Sequence, residues 1–285
     1  MVGTVILNYN NSTQTLACLE SLYEHCKGGN YKVCIVDNAS CPDELEKLRS
    51  GCSEEILVAE ENGGYAKGNN LGCEYFDKDP DVDAILILND DTCFTQDIIT
   101  PLYDYLKGHS DCGVVFPLVL APDGSVDRAC LRRQKSLGDL VLQATSLGRI
   151  KALQRRSTSA GRGEFLPLEC LEGKEEVRTG VPPGSCMMLP KSVFQRIGWF
   201  DPNTFLYFEE HIISEKLKRE GLSCVLLPGI SIVHLGAQTT ARQSSATVYS
   251  HWRDSYLYFL KEYAGAPGWL RKLLALRTAA AKRFK

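Results

Sequence analysis

The stretch that most restricts how this chain can fold is Ala84-Ile85-Leu86-Ile87-Leu88, five apolar residues in succession, followed at once by Asn89-Asp90-Asp91-Thr92. Without polar alternation the run has no solvent face, so it reads as a strand in the middle of a sheet covered on both sides. The strand then ends in acid. In open α/β sheets ligands bind outside the carboxyl ends of the strands. Two adjacent carboxylates there repel each other unless donors or a cation hold them, which makes a divalent metal a natural third party. The same residues also suit an Asx-rich turn, and the tripeptide alone leaves both readings open.

Other runs repeat the pattern. Thr4 to Leu7 is β-branched and stops at Asn8-Tyr9-Asn10-Asn11-Ser12, a loop and helix-cap signal. Leu16, Leu19, Leu22, Tyr23 and Cys26 follow at helical spacing, Gly28-Gly29 ends that helix, and Val33 to Val36 gives a second buried strand before Asp37-Asn38-Ala39-Ser40. Strand, helix, strand is a parallel crossover. Pro42 opens a second helix and Ile56 to Val58 a third strand. The glycine-rich Asn62-Gly63-Gly64-Tyr65-Ala66-Lys67-Gly68-Asn69-Asn70 would let backbone amides approach an anion, with Lys67 adding charge for phosphate. Its spacing is neither G-x-G-x-x-G nor a P-loop, so a plain connection is the alternative.

At 285 residues the chain is long enough for one large α/β domain with an appendage. A formal charge of −3 offers no overall case for nucleic acid. The twelve cysteines show no C-x-x-C pair, which argues against a zinc site or disulfide framework and for reduced cytoplasmic thiols. The chain enters its first strand at once, leaving no room for a signal peptide, and no apolar run reaches the ~18 residues of a membrane span.

Further along, Ile98, Leu102 and Leu106 mark a helix, Gly113 to Phe116 a strand and Asp123-Gly124 a hairpin turn. From Arg128 to Gly163 there are nine Lys or Arg against one acid, Asp139, with Leu137, Leu140, Val141, Ala144, Leu147 and Ile150 at the spacing of a basic amphipathic helix. Gly180 to Ser185 is a rigid loop before a strand at Cys186 to Leu189, and Lys191 to Ile197 a short helix. Glu209-Glu210 opens a helix running to Gly221, where carboxylates commonly serve only the helix dipole and its open amides. Leu226 to His234 is a strand ending in histidine, and a lone histidine there is usually structural.

Four motifs change the weight of these readings: Ile6-Leu7-Asn8-Tyr9-Asn10, Val36-Asp37-Asn38-Ala39-Ser40, Asn62 to Asn70, and Leu88-Asn89-Asp90-Asp91-Thr92. Their order and intervals resemble glycosyltransferase family 2, in its branch of bacterial rhamnosyl-, galactofuranosyl- and capsular-polysaccharide transferases. The resemblance implies a GT-A fold, mostly parallel, spanning 1–241, with a helical C-terminal extension over 242–285. It also implies a nucleoside diphosphate sugar donor carrying UDP or dTDP, inversion at the anomeric carbon, and Mn²⁺ or Mg²⁺. Carried over by position, Asn8, Asp37 and Asn38 line the nucleoside pocket, Gly64 to Asn69 with Lys67 lies over the donor, Asp91 and His234 bind metal, and Asp90 stands beside them. Glu210 becomes the general base and Glu209 its neighbour, although relatives have Asp at the position of 210. Alternatives are a sugar-1-phosphate nucleotidyltransferase, which lacks its basic glycine loop here, and a non-catalytic nucleotide-sugar binding subunit.

The last segment speaks without the family. Trp269 to Lys285 holds six Lys or Arg and no acid. As a helix it gathers Trp269, Leu270, Leu273, Leu274, Leu276, Ala280 and Phe284 on one side, with Arg277 intruding and able to snorkel. That pattern describes a helix lying on an anionic membrane surface, suited to a lipid-linked saccharide acceptor at the cytoplasmic face.

Overall fold

A computed structural model of the chain describes residues 1–134, 136–139, 164–236 and 245–281. The basic amphipathic stretch beyond Asp139, the expected boundary at 241/242 and the last four residues lie outside them.

The first half alternates strand and helix: β1 (Val2–Asn8), α1 (Ser12–His25), β2 (Tyr31–Asp37), α2 (Pro42–Gly51), β3 (Glu55–Val58), α3 (Gly64–Asp77) and β4 (Ala84–Asn89). The strands pair in parallel in the order β3-β2-β1-β4, so the order in which strands are added reverses at β1. Their unbroken apolar runs are buried on both faces as expected, Ile85 to Leu88 completely. Helices α1 and α3 cover the sheet with Cys18, Leu19 and Leu22 and with Cys73 and Phe76.

The second half is mixed. It comprises β5 (Thr92–Phe94), α4 (Ile99–Gly108), β6 (Cys112–Leu120), β7 (Val177–Thr179), β8 (Cys186–Pro190), α5 (Lys191–Arg196), α6 (Glu209–Arg219) and the long β9 (Ser223–His234). Strand β8 runs antiparallel to β4 and β6, β9 lies parallel to β6, and both β5 and β7 pair antiparallel with β9. By paired residues the sheet is mostly parallel.

Two helices follow, α7 (Ser245–Glu262) and α8 (Gly268–Ala281). They build a second apolar cluster in which Tyr256, Phe259, Leu260, Leu270 and Leu274 meet Phe208 and Ile212. The anchoring is also polar: Tyr258 and Tyr263 donate to the buried Asp201, and Ser255 Oγ donates to the Leu206 carbonyl.

Candidate active site

The acidic turn gets its shape from the sheet. Asp91 is followed directly by β5, whose first residue Thr92 pairs with His234, and Leu235 N donates to the Asp91 carbonyl. This register sets the imidazole against the carboxylate, with His234 Nε2 3.0 Å from Asp91 Oδ1. The pair is not aligned as a hydrogen bond, and both atoms are buried without a partner of that kind. A carboxylate oxygen and an imidazole nitrogen this close, both lacking a hydrogen-bond partner, are a donor set that would suit a divalent ion such as Mn²⁺. Among the described residues no group of three or more His, Cys, Asp or Glu is arranged for a metal. Asp91 and His234 would be the residues that hold such an ion.

Charge is crowded here. Burial and then the Asp91 carboxylate push Asp90 up to about 7, against the donated hydrogen bond from Asn11 Nδ2 at 3.1 Å. Burial opposes a charged His234, yet Asp127 and Asp91 prevail and raise it to about 9. His234 in turn holds Asp127 below its ordinary value. A bound cation would relieve this crowding in the carboxylates' favour.

The second carboxylate pair is aimed by strained backbone. Tyr207 and Phe208 both have positive φ, 74° and 72°, immediately before α6. Such residues cost about 1–3 kcal/mol each and persist where surroundings over-determine them. Here the Phe208 ring is held among Trp252, Tyr256 and Phe259. Glu209 is buried; burial and then Glu210 push it up to about 8. Glu210 is partly exposed, 3.8 Å from Arg132 Nη1, and a Cβ on Gly184 would lie 2.7 Å from its Oε1.

Both pairs open into one cleft of about 440 Å³, with Asn38, Gly64 and Asp90 also on its walls. That volume suits a small-molecule ligand. The cleft is also lined by Tyr9 and Ser185, whose segments the sequence marks without giving either residue a role, and by Asp127 and Arg132, which sit in no motif.

Four expected donor contacts stand elsewhere. Asn8 and Asp37 are fully buried and bond each other at 2.6 Å, with Ser40 and Thr15 taking their remaining atoms, so they brace the ends of β1 and β2 rather than face the cleft. Lys67 is exposed outside the lining, and Asn69 is buried, donating to the Tyr65 carbonyl. The reason is that Gly64 to Asn69 is not a loop: it forms the first turns of α3. Gly64 adopts φ +78°, a Cβ there would fall 2.1 Å from the Phe205 carbonyl oxygen, and Tyr65 N donates to that oxygen at 2.8 Å. The segment thereby clamps the loop that leads to Glu209.

The strand order thus reverses at β1, and a carboxylate–histidine pair at strand ends shares one cleft with a carboxylate pair at a helix start. Residues 4–156 match the profile "Glycosyl transferase family 2", more than half of the chain, and the chain belongs to that family. It is similar to the low-salt glycan biosynthesis hexosyltransferase Agl10 of Haloferax volcanii, 26% identical over 262 residues, covering 90% of this chain and 74% of that protein. Similar too is the N-acetylglucosaminyl-diphospho-decaprenol L-rhamnosyltransferase of Mycobacterium tuberculosis, 27% identical over 210 residues, 69% of this chain and 62% of that one. Among solved structures, GalNAc-T7 with UDP, GalNAc and Mn²⁺ superposes with a TM-score of 0.61 at 15% identity, covering 97% of this chain and 54% of its own. The mannosyltransferase PcManGT of Pyrobaculum calidifontis with GDP-Man and Mn²⁺ gives 0.57 at 14%, with 98% and 73% covered. The fold is GT-A.

Proposed function

We propose that the chain transfers a hexosyl or deoxyhexosyl unit, with inversion, from a nucleoside diphosphate sugar to a hydroxyl of a lipid-linked saccharide. The observation that carries this is the shared cleft, in which a two-ligand metal position and a candidate base lie within reach of one small substrate. Asp91 and His234 would hold a divalent ion, which supplies charge compensation for the departing diphosphate. Glu210, the more open of the two glutamates, takes the acceptor proton and must come within about 2.6–3.2 Å of that hydroxyl. Glu209, whose proton is held more tightly than in an ordinary glutamate by burial and then by Glu210, is the poorer candidate to take that proton.

The acceptor class rests on relatives named for glycan assembly and for a diphospho-decaprenol substrate. No helix among the described residues is long and apolar enough to cross a membrane. Helix α8 nevertheless exposes Trp269, Leu273 and Leu276, at i, i+4 and i+7, beside Arg271 and Lys272. This stripe would rest on the anionic surface that carries the acceptor, at the cytoplasmic face. The test is a screen of UDP-, dTDP- and GDP-sugars with Mn²⁺ and a lipid-diphosphate N-acetylglucosamine acceptor, scoring product and anomeric configuration. Glycosylated acceptor of inverted configuration is expected; hydrolysis or binding without transfer would favour a non-catalytic binding subunit.

A further inference from the structure

We propose that Arg132 is the side chain that meets phosphoryl oxygens in this cleft, a step that rests on the transferase reading above. The walls carry the carboxylates of Asp90, Asp91, Asp127, Glu209 and Glu210, and Arg132 is the one Lys or Arg among the described lining residues. Its position is fixed by main chain: the Arg132 carbonyl accepts from Gly180 N and Val181 N, and the residue bridges to Phe165. The guanidinium stands 3.8 Å from Glu210 Oε1, beyond hydrogen-bond length, and has no closer polar partner among the described residues. Five N–H donors therefore remain for something else.

Glu210 is a poor explanation for that charge. At 3.8 Å Glu210 accepts none of the guanidinium's N–H donors, so the fork is left without a hydrogen-bonded anion among the described residues. A diphosphate answers this. The planar fork of Arg matches two phosphate oxygens at once, and its charge offsets some of the repulsion from the surrounding carboxylates. Two substrates of the proposed reaction carry that group: the nucleotide sugar, whose nucleoside diphosphate departs as the sugar passes to the acceptor hydroxyl, and an acceptor whose sugar is joined to lipid through one.

The experiment compares Arg132→Gln and Arg132→Lys with the unaltered chain. Affinity for UDP, dTDP and GDP is measured calorimetrically with Mn²⁺. Rates are measured on N-acetylglucosamine linked to farnesyl diphosphate and on the octyl glycoside of the same sugar. Loss of the guanidinium should weaken one interaction about tenfold or more, the scale of a charge-assisted contact, with partial recovery in the Lys variant. Weaker nucleoside diphosphate binding assigns Arg132 to the departing group. A raised KM confined to the diphosphate-linked acceptor assigns it to the acceptor. If both constants hold and only kcat falls, equally on the two acceptors and with a displaced pH profile, Arg132 merely positions Glu210 and the proposal is overturned. Should the unaltered chain transfer no sugar at all, the transferase reading fails, while nucleotide affinity still decides the role of Arg132.

Discussion

Glu209 and Glu210 are chemically identical neighbours in different surroundings, both on the cleft but one buried and one partly exposed. Replacing Glu210 with Gln, nearly isosteric, should cut turnover by ~10²-fold or more while donor affinity stays within a few-fold. Collapse of donor binding with intact saturated turnover would remove Glu210 from the role of base. Glu209 makes a different mark. Its proton is bound more tightly in the folded chain, so the stability this contributes is whole below the ordinary glutamate value of 4.5 and lost as pH climbs through about 8. Melting temperature should therefore fall across that window in the unaltered chain relative to Glu209→Gln, which cannot ionise; parallel Tm–pH curves would contradict it. At the other pair, Asp91→Asn should abolish metal-dependent donor binding, and activity lost in EDTA should return with Mn²⁺. Full activity in chelator would refute the metal position.

At the scale of elements, the buried strands were legible because an apolar run of five residues has few other uses, and the acid–histidine strand ends could be ranked once the motifs were in register. What could not be read were contacts made by geometry rather than type. The segment Gly64 to Asn69, poor in helix formers, looks like a loop; it becomes helix because Gly64 alone can occupy a positive φ against the Phe205 carbonyl. The three-residue strands β5 and β7 carry no periodicity to detect, yet β5 brings His234 to Asp91. Asp127 and Arg132 reach the cleft from a 3₁₀ turn with no motif around it. Gly64→Ala should cost about 1–3 kcal/mol and loosen the 205–208 loop, lowering turnover as well as Tm. Unchanged stability would mean that the clamp is not a real constraint.

Taken whole, the molecule gives its C-terminal helices two tasks. The sequence placed Trp269, Leu270, Leu273, Leu274 and Leu276 on one apolar face; the structure divides that face, burying Leu270 and Leu274 inward while Trp269 and Leu276 remain 69% and 73% exposed. Changing Trp269, Leu273 and Leu276 together to Ser should abolish salt-sensitive binding to anionic vesicles and spare activity on a soluble acceptor. Vesicle binding that survives the triple change would refute the surface. The inward side has another consequence. Because Phe208, in its left-handed backbone, is packed among residues of α7, the two helices cannot drift or be exchanged as a module independent of the catalytic loop. Among descendants of this chain, substitutions at Tyr256 and Phe259 should be accompanied by changes at Phe208 and Ile212, so that the tail and the active-site loop are inherited as one unit.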